Sequence, residues 1–181
     1  MSNLLDKLHN DHKNFSKLLK YTELQLGRVK DCEVVDFETL LIALEYMKDY
    51  SDAIHHPLEN VLFGYFLEHY DLDREEIDHL MNEHEGMPQL TDKIIEMLEC
   101  VISEMPVERR LFCERLAEYI DVKKKHMNHE ESAIYPSLYK NMKEEDWQAL
   151  NDTLSNTTDP LFDQPIKKNY QLLLARITAA I

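Results

Sequence analysis

Apolar residues recur along this chain in steps of three and four, which keeps one face of a helix turned inward. The first such stretch runs from about Asn3 to Lys30 and carries Leu4, Leu8, Phe15, Leu19 and Leu26. Gly27 and Asp31-Cys32-Glu33 are expected to end it. Asp36 is a predicted N-cap for a second helix bearing Phe37, Leu40, Leu41, Leu44 and Met47, which continues through Leu62 and Phe66. Pro57 removes one of its hydrogen bonds and is expected to kink it. Asp73-Arg74-Glu75-Glu76 reads as a capping box opening a third helix with Ile77, Leu80, Met87, Thr91, Ile94, Leu98 and Val101 inward, and Gly86 and Pro88 predict a kink in it. Pro106 suits the first turn of a fourth helix, which carries Phe112, Leu116, Tyr119 and Ala133 and is expected to stop or kink at Pro136. The tail reads as a short helix near Glu144 to Leu154, a loop over 156–160, and a last helix with Ile166, Tyr170, Leu173, Ile177 and Ile181 inward.

The fold class that follows is all-α: an up-down-up-down four-helix bundle over residues 1–143, with a C-terminal helical extension over 144–181 that covers the bundle or forms a homodimer contact. The scarcity of glycine, with 3 residues, agrees with long uninterrupted helices. A net charge of −15 argues against nucleic acid and against an anionic membrane surface as partners. No apolar run approaches the roughly 18–20 residues needed to span a bilayer. The N-terminus shows no secretory signal, and three cysteines without a CxxC pairing fit reduced thiols, so a cytoplasmic location is expected.

Four histidines interrupt the apolar rows. His12, His55, His84 and His126 each sit on or beside the inward face of a different helix. His55 is followed by Glu59 and His126 by Glu130, four residues on, which stacks imidazole and carboxylate on one face. In an up-down-up-down bundle all six fall in one layer, roughly 15 Å from one end at about 1.5 Å per residue. His12 and His84 lie 72 positions apart, while His55/His126 and Glu59/Glu130 lie 71 apart, so two hairpins repeat the same set. A lone histidine in an apolar row is more often a hydrogen-bonded core residue; four on four helices at matching offsets point instead to a metal site. Two buried carboxylates are costly without cations. Mixed nitrogen and oxygen donors suit iron, manganese or zinc. His9, His56, His79 and His129 read as surface groups or outer supports, with His129 the nearest rival for a ligand place. Glu131 reads as solvated, and Tyr119 as core. The ligand pocket is expected to be lined by Phe15, Leu62 and Met87.

The pattern His12, His55-His56-Pro57-Leu58-Glu59, Glu83-His84 and His126-Met127-Asn128-His129-Glu130 resembles the hemerythrin-like, HHE cation-binding family over about residues 1–140. The resemblance implies two iron ions, oxo- or hydroxo-bridged. His12, His55, His84 and His126 would be terminal ligands, and Glu59 and Glu130 would bridge. Oxygen-carrying members use five histidines, whereas four stand in the matching places here, which leaves both irons open. The function expected is binding or reduction of dioxygen, nitric oxide or peroxide, in oxidative or nitrosative stress, with an electron donor that the sequence does not name. The alternatives are an oxygen or iron sensor or store without turnover, and an iron–sulfur cluster repair protein.

Overall fold

The computed structural model describes residues 3–70 and 72–154, together with 173, 176 and 177. Every regular element among them is helical. Helix α1 spans Asn3–Lys30, α2 Phe37–Tyr50, α3 His56–Tyr70, α4 Arg74–Ile102, α5 Arg109–His129, α6 Tyr135–Asn141 and α7 Glu144–Thr153. A π-helical turn, Ser51–His55, joins α2 to α3, and a second, Glu130–Ile134, joins α5 to α6. Helix α1 packs against α2 and α5, and α4 against α2, α3 and α5. No helix among the described residues is long and apolar enough to cross a membrane.

The helix ends follow from local chemistry. Asp36 caps α2, its carboxylate accepting from the Thr39 amide at 3.0 Å. Helices α1 and α4 stop on a residue in the left-handed region, Cys32 at φ 59° and Glu104 at φ 58°. In each case the next amide bonds back five residues, Glu33 to Arg28 at 2.9 Å and Met105 to Cys100 at 2.9 Å, satisfying end carbonyls. Two expectations are corrected. Asp73 stands before α4 at φ 54° and makes no capping bond; its carboxylate accepts from the Ser137 hydroxyl instead. Pro106 lies ahead of α5, which begins at Arg109, so it shapes the connecting loop rather than the first turn. Pro88 sits inside an unbroken α4.

The buried side chains form two apolar clusters. One gathers Leu18, Leu19, Leu40, Leu44, Ile94, Leu98, Leu116 and Tyr119. The other gathers Leu4, Leu8, Leu62, Phe66, Ile77, Leu80, Ile134 and Leu138, and Trp147 and Leu150 of α7 join it. Asp146 anchors α7 by accepting from the Lys143 amide at 2.9 Å, from the Tyr65 hydroxyl at 2.7 Å and from the Tyr70 hydroxyl. Of the last expected helix, Leu173 and Ile177 are buried in the first cluster, and Arg176 pairs with Asp36 at 3.2 Å. Ile166, Tyr170, Ile181 and the loop over 156–160 lie outside the described residues. A polar layer separates the two clusters, and it holds the candidate site.

Candidate metal centre

All six residues singled out by spacing meet in this layer. His12, His55, Glu59, His84, His126 and Glu130 are each no more than 5% exposed. Their order along the helices explains the position: His12 follows Leu8 of one apolar cluster and precedes Phe15 of the other, and His84 follows Leu80 and precedes Ile94.

The imidazoles pair. His12 and His55 face each other through Nε2 atoms 3.0 Å apart, and His84 and His126 do so at 3.1 Å. The other ring nitrogen of each is held by an acceptor. Nδ1 of His12 meets Glu131 at 2.9 Å, that of His55 meets Asp11 at 3.2 Å, that of His84 meets the Asn60 side-chain oxygen at 2.8 Å, and that of His126 meets Glu83 at 2.8 Å. Carboxylate and amide oxygens only accept, so each Nδ1 carries a proton. In the neutral rings every Nε2 lone pair then points inward, and facing lone pairs repel unless a cation joins them. Two nitrogens about 2.1 Å from one ion and at right angles to each other lie about 3.0 Å apart, the spacing found in both pairs. Outer acceptors that fix ring orientation are the usual support of metal-binding histidines.

Each carboxylate reaches both pairs. Glu59 Oε1 lies 3.4 Å from His55 Nε2, and Oε2 lies 3.4 Å from His84 Nε2. Glu130 Oε2 lies 3.3 Å from His12 Nε2, and Oε1 lies 3.2 Å from His126 Nε2. Yet Glu59 Oε2 and both oxygens of Glu130 make no hydrogen bond, although both residues are wholly buried. A buried carboxylate left so is costly, and cations are the groups that would satisfy it. The electrostatics agree. Burial disfavours a charged His12, but Glu130 and Glu131 beside it lift its pKa to about 10. Glu130 is held well below the usual carboxylate range despite burial, chiefly by His126 and His12.

The two π turns account for the change of offset. Positions 72 apart match from the start: Asp11 with Glu83, His12 with His84, Cys32 with Glu104, and the first residues of α2 and α5, Phe37 and Arg109. The first π turn inserts one residue before His55, so His55/His126, Glu59/Glu130 and Asn60/Glu131 lie 71 apart. The second inserts one residue after Glu130 and restores 72, pairing Phe63 with Tyr135. Their rings behave alike: Tyr135 stacks on His12 at 5.5 Å and Phe63 on His84 at 6.4 Å. Such single-turn π segments accommodate an extra residue without ending the helix. Pro57 and Pro136 each follow a π turn by two residues, and the expected kinks take this form.

Several residues at the site were not read from the sequence as contributors. Asp11, Asn60 and Glu83 are the outer acceptors; each adjoins a predicted ligand and shares its offset, which is the signal that could have found them. Glu131 is corrected from solvated: it accepts from His9 Nδ1 at 2.8 Å and from His12, because its place beside Glu130 turns it toward α1. Tyr135 donates its hydroxyl to Glu59. His56 is buried, stacks on His84 at 4.2 Å, and offers a ring nitrogen within 4.8 Å of ligand atoms of Glu59, His84 and His126. His79 and His129 stay outside, near Glu83 at 3.3 Å and Glu76 at 3.5 Å, so His129 does not compete for a ligand place. Tyr119 is core, with its hydroxyl 3.9 Å from the Met47 sulfur.

A cavity of about 10 Å³ opens beside the imidazoles, lined by Phe15, Leu19, Met47, Ser51, Lys123 and Met127 among others. Leu62 and Met87, expected to line it, do not; Leu62 belongs to the apolar cluster on the opposite side of the carboxylates.

The family model described as the hemerythrin HHE cation binding domain matches residues 3–138. No curated protein matches the chain.

Proposed function

The chain belongs to the hemerythrin HHE cation-binding family, and from that membership and the geometry of the site we propose that it is a non-haem di-iron protein that binds or reduces dioxygen, nitric oxide or peroxide. In this reading His12 and His55 would hold one ion, His84 and His126 the other, and Glu59 and Glu130 would supply carboxylate oxygens to both. In the same reading the long helical spans run up, down, up and down around that layer, with α7 packed on α1 and the second apolar cluster. The observation that carries the reading is Glu130, buried, without a hydrogen bond, and placed with one oxygen toward each imidazole pair.

When bound, two iron ions supply electrons and Lewis acidity. The chain's own residues do the rest. Asp11, Asn60, Glu83 and Glu131 hold the Nδ1 protons and so keep each Nε2 lone pair aimed inward. Tyr135 fixes one oxygen of Glu59. Phe15, Leu19 and Met47 restrict water at the cavity to about one molecule's space. The free thiols Cys32, Cys100 and Cys113 support a reducing, cytoplasmic setting.

The test is metal content and visible absorption of protein purified without a chelating tag. About two irons per chain, with near-ultraviolet bands that change on adding azide, is the expected result. Glu59→Ala and Glu130→Ala should each lose two-metal binding, and two irons retained by either variant would refute the bridging role. Protein that binds oxygen reversibly but consumes neither nitric oxide nor peroxide would be a sensor or store rather than an enzyme.

A further inference from the structure

The repeat that preserves the ligands inverts the charge on the surface around them. An offset of 72 exchanges α1 for α4 and α2 for α5, so the α1/α5 seam of the bundle corresponds to the α2/α4 seam. On the first seam Lys13, Lys17 and Lys20 are exposed at spacings of four and three along α1, which puts them on one face. Lys124 of α5 reaches across to Glu23 of α1 at 2.6 Å. The places matching Lys13, Lys17, Lys20 and Lys124 on the second seam hold Glu85, Gln89, Asp92 and Asp52. That seam is acidic enough for Asp49 and Glu99 to add to burial in raising the Glu45 carboxyl. A molecule of net charge −15 therefore keeps a lysine row on one side only of its repeat. The row borders a cleft between α1 and α5. Lys13 and Lys17 line this cleft, and so does His12, a ligand in the proposed centre. Glu131 lines it as well, but its carboxylate is taken up by His9 at 2.8 Å and by His12 at 2.9 Å.

We propose that this cleft is the docking face for an acidic one-electron carrier protein, whose negative surface meets Lys13, Lys17 and Lys20 and whose redox group comes to rest over His12. The inference rests on the di-iron reading and gives the class of electron donor that such a centre needs. In each encounter the reduced iron–sulfur cluster of the carrier loses one electron and one ferric ion becomes ferrous, so two encounters reduce the pair. Opposite charge suits a partner that must arrive, deliver and leave, because it speeds the encounter without the large apolar contact of a permanent complex. The acidic seam on the other side of the repeat repels the same carrier and so confines docking to the lysine row.

The probe is a reduced, acidic [2Fe–2S] ferredoxin mixed with the ferric, iron-loaded full chain, the second-order rate of reduction being followed by absorption. Reduced methyl viologen, a small cation, is the comparison donor. The wild-type rate with ferredoxin should fall about tenfold or more as salt rises from about 10 mM to about 500 mM. Lys13→Glu combined with Lys17→Glu should retain two irons per chain by metal analysis and slow reduction by ferredoxin about 10- to 100-fold at low salt. Its rate with methyl viologen should change less than about threefold. Lys30→Glu combined with Lys93→Glu makes the same change of net charge away from the cleft, and should slow ferredoxin less than about threefold. Lys13→Gln combined with Lys17→Gln should fall between wild type and the glutamate pair, and serves if that pair does not fold. A ferredoxin rate that ignores salt, that is unchanged in the iron-loaded cleft variant, or that falls alike in both glutamate pairs overturns the proposal and leaves the metal centre standing. Wild-type protein that takes up no iron overturns both.

Discussion

The two hairpins present the same ligand set on differently furnished walls. In the first, both imidazoles lean on carboxylates, His12 on Glu131 and His55 on Asp11. In the second, His126 leans on Glu83, but His84 leans on the neutral amide of Asn60. Glu59 receives the Tyr135 hydroxyl, whereas Glu130 receives nothing, because the residue matching Tyr135 is Phe63. His56 stacks on His84, with no counterpart ring on His12 beyond Tyr135. A repeat that looks twofold in its ligands is thus asymmetric in everything that tunes them. Carboxylates behind imidazoles raise ligand basicity, so on the proposed two-ion reading the first half would hold its ion more tightly and the second would release or exchange it more readily.

The sharpest test removes the charged support from each half. Glu83→Ala leaves no carboxylate behind the second imidazole pair, while Asp11→Ala leaves Glu131 behind the first. Losses of metal affinity should fall in the range of about 10- to 100-fold, with Glu83→Ala near the top and Asp11→Ala near the bottom. Competition against a chelator measures both, and the reverse ranking would break the comparison. A smaller effect is expected from Tyr135→Phe, which makes the first half resemble the second. Roughly a fivefold loss in metal affinity should follow, together with a spectrum in which the two iron sites are more alike. An unchanged spectrum would show that the phenol contributes nothing to the difference.

The smallest effect is one of pH, on the metal-free protein. The His12 pKa is lifted from 6.5 to about 10, so its contribution to stability is whole below pH 6.5 and is lost as pH rises toward 10. Burial pulls Lys123 down from 10.5 to about 8, which acts in the opposite sense, but only above pH 8. The thermal midpoint of metal-free protein should therefore fall between pH 6.5 and 8. Metal-loaded protein should not show this slope, since bound ions have already displaced the proton. A midpoint that rises over this interval in the metal-free form would contradict the assignment.

Much of this architecture could be read before any coordinates. The three-and-four spacing of Leu4, Leu8, Phe15 and Leu19 located α1 to its ends, and His12 stood out because it replaced an apolar residue in that row. The six residues of the layer were legible for the same reason: periodicity carries both core and ligand. What stayed hidden does not repeat with that period. A π turn changes the backbone by one residue and leaves no mark except an offset of 71 where 72 is expected. The outer acceptors are ordinary polar residues on helix flanks, and only a second helix brought alongside distinguishes Asp11 or Glu131 from a solvated carboxylate. Lys123 was invisible for the same cause, since burial of a lysine depends on neighbours far away in sequence.

Trp147 gives the molecule a built-in optical signal. It is the sole tryptophan of the chain, 5% exposed, and packed through α7 into the apolar cluster that also contains Tyr135. Its emission comes from one known place, so any light absorbed at the neighbouring centre that overlaps this emission dims a single fluorophore rather than an average of several. Loading of the site and release of α7 would thus leave separate traces, the first in brightness and the second in colour, as the indole passes from an apolar to an aqueous surrounding.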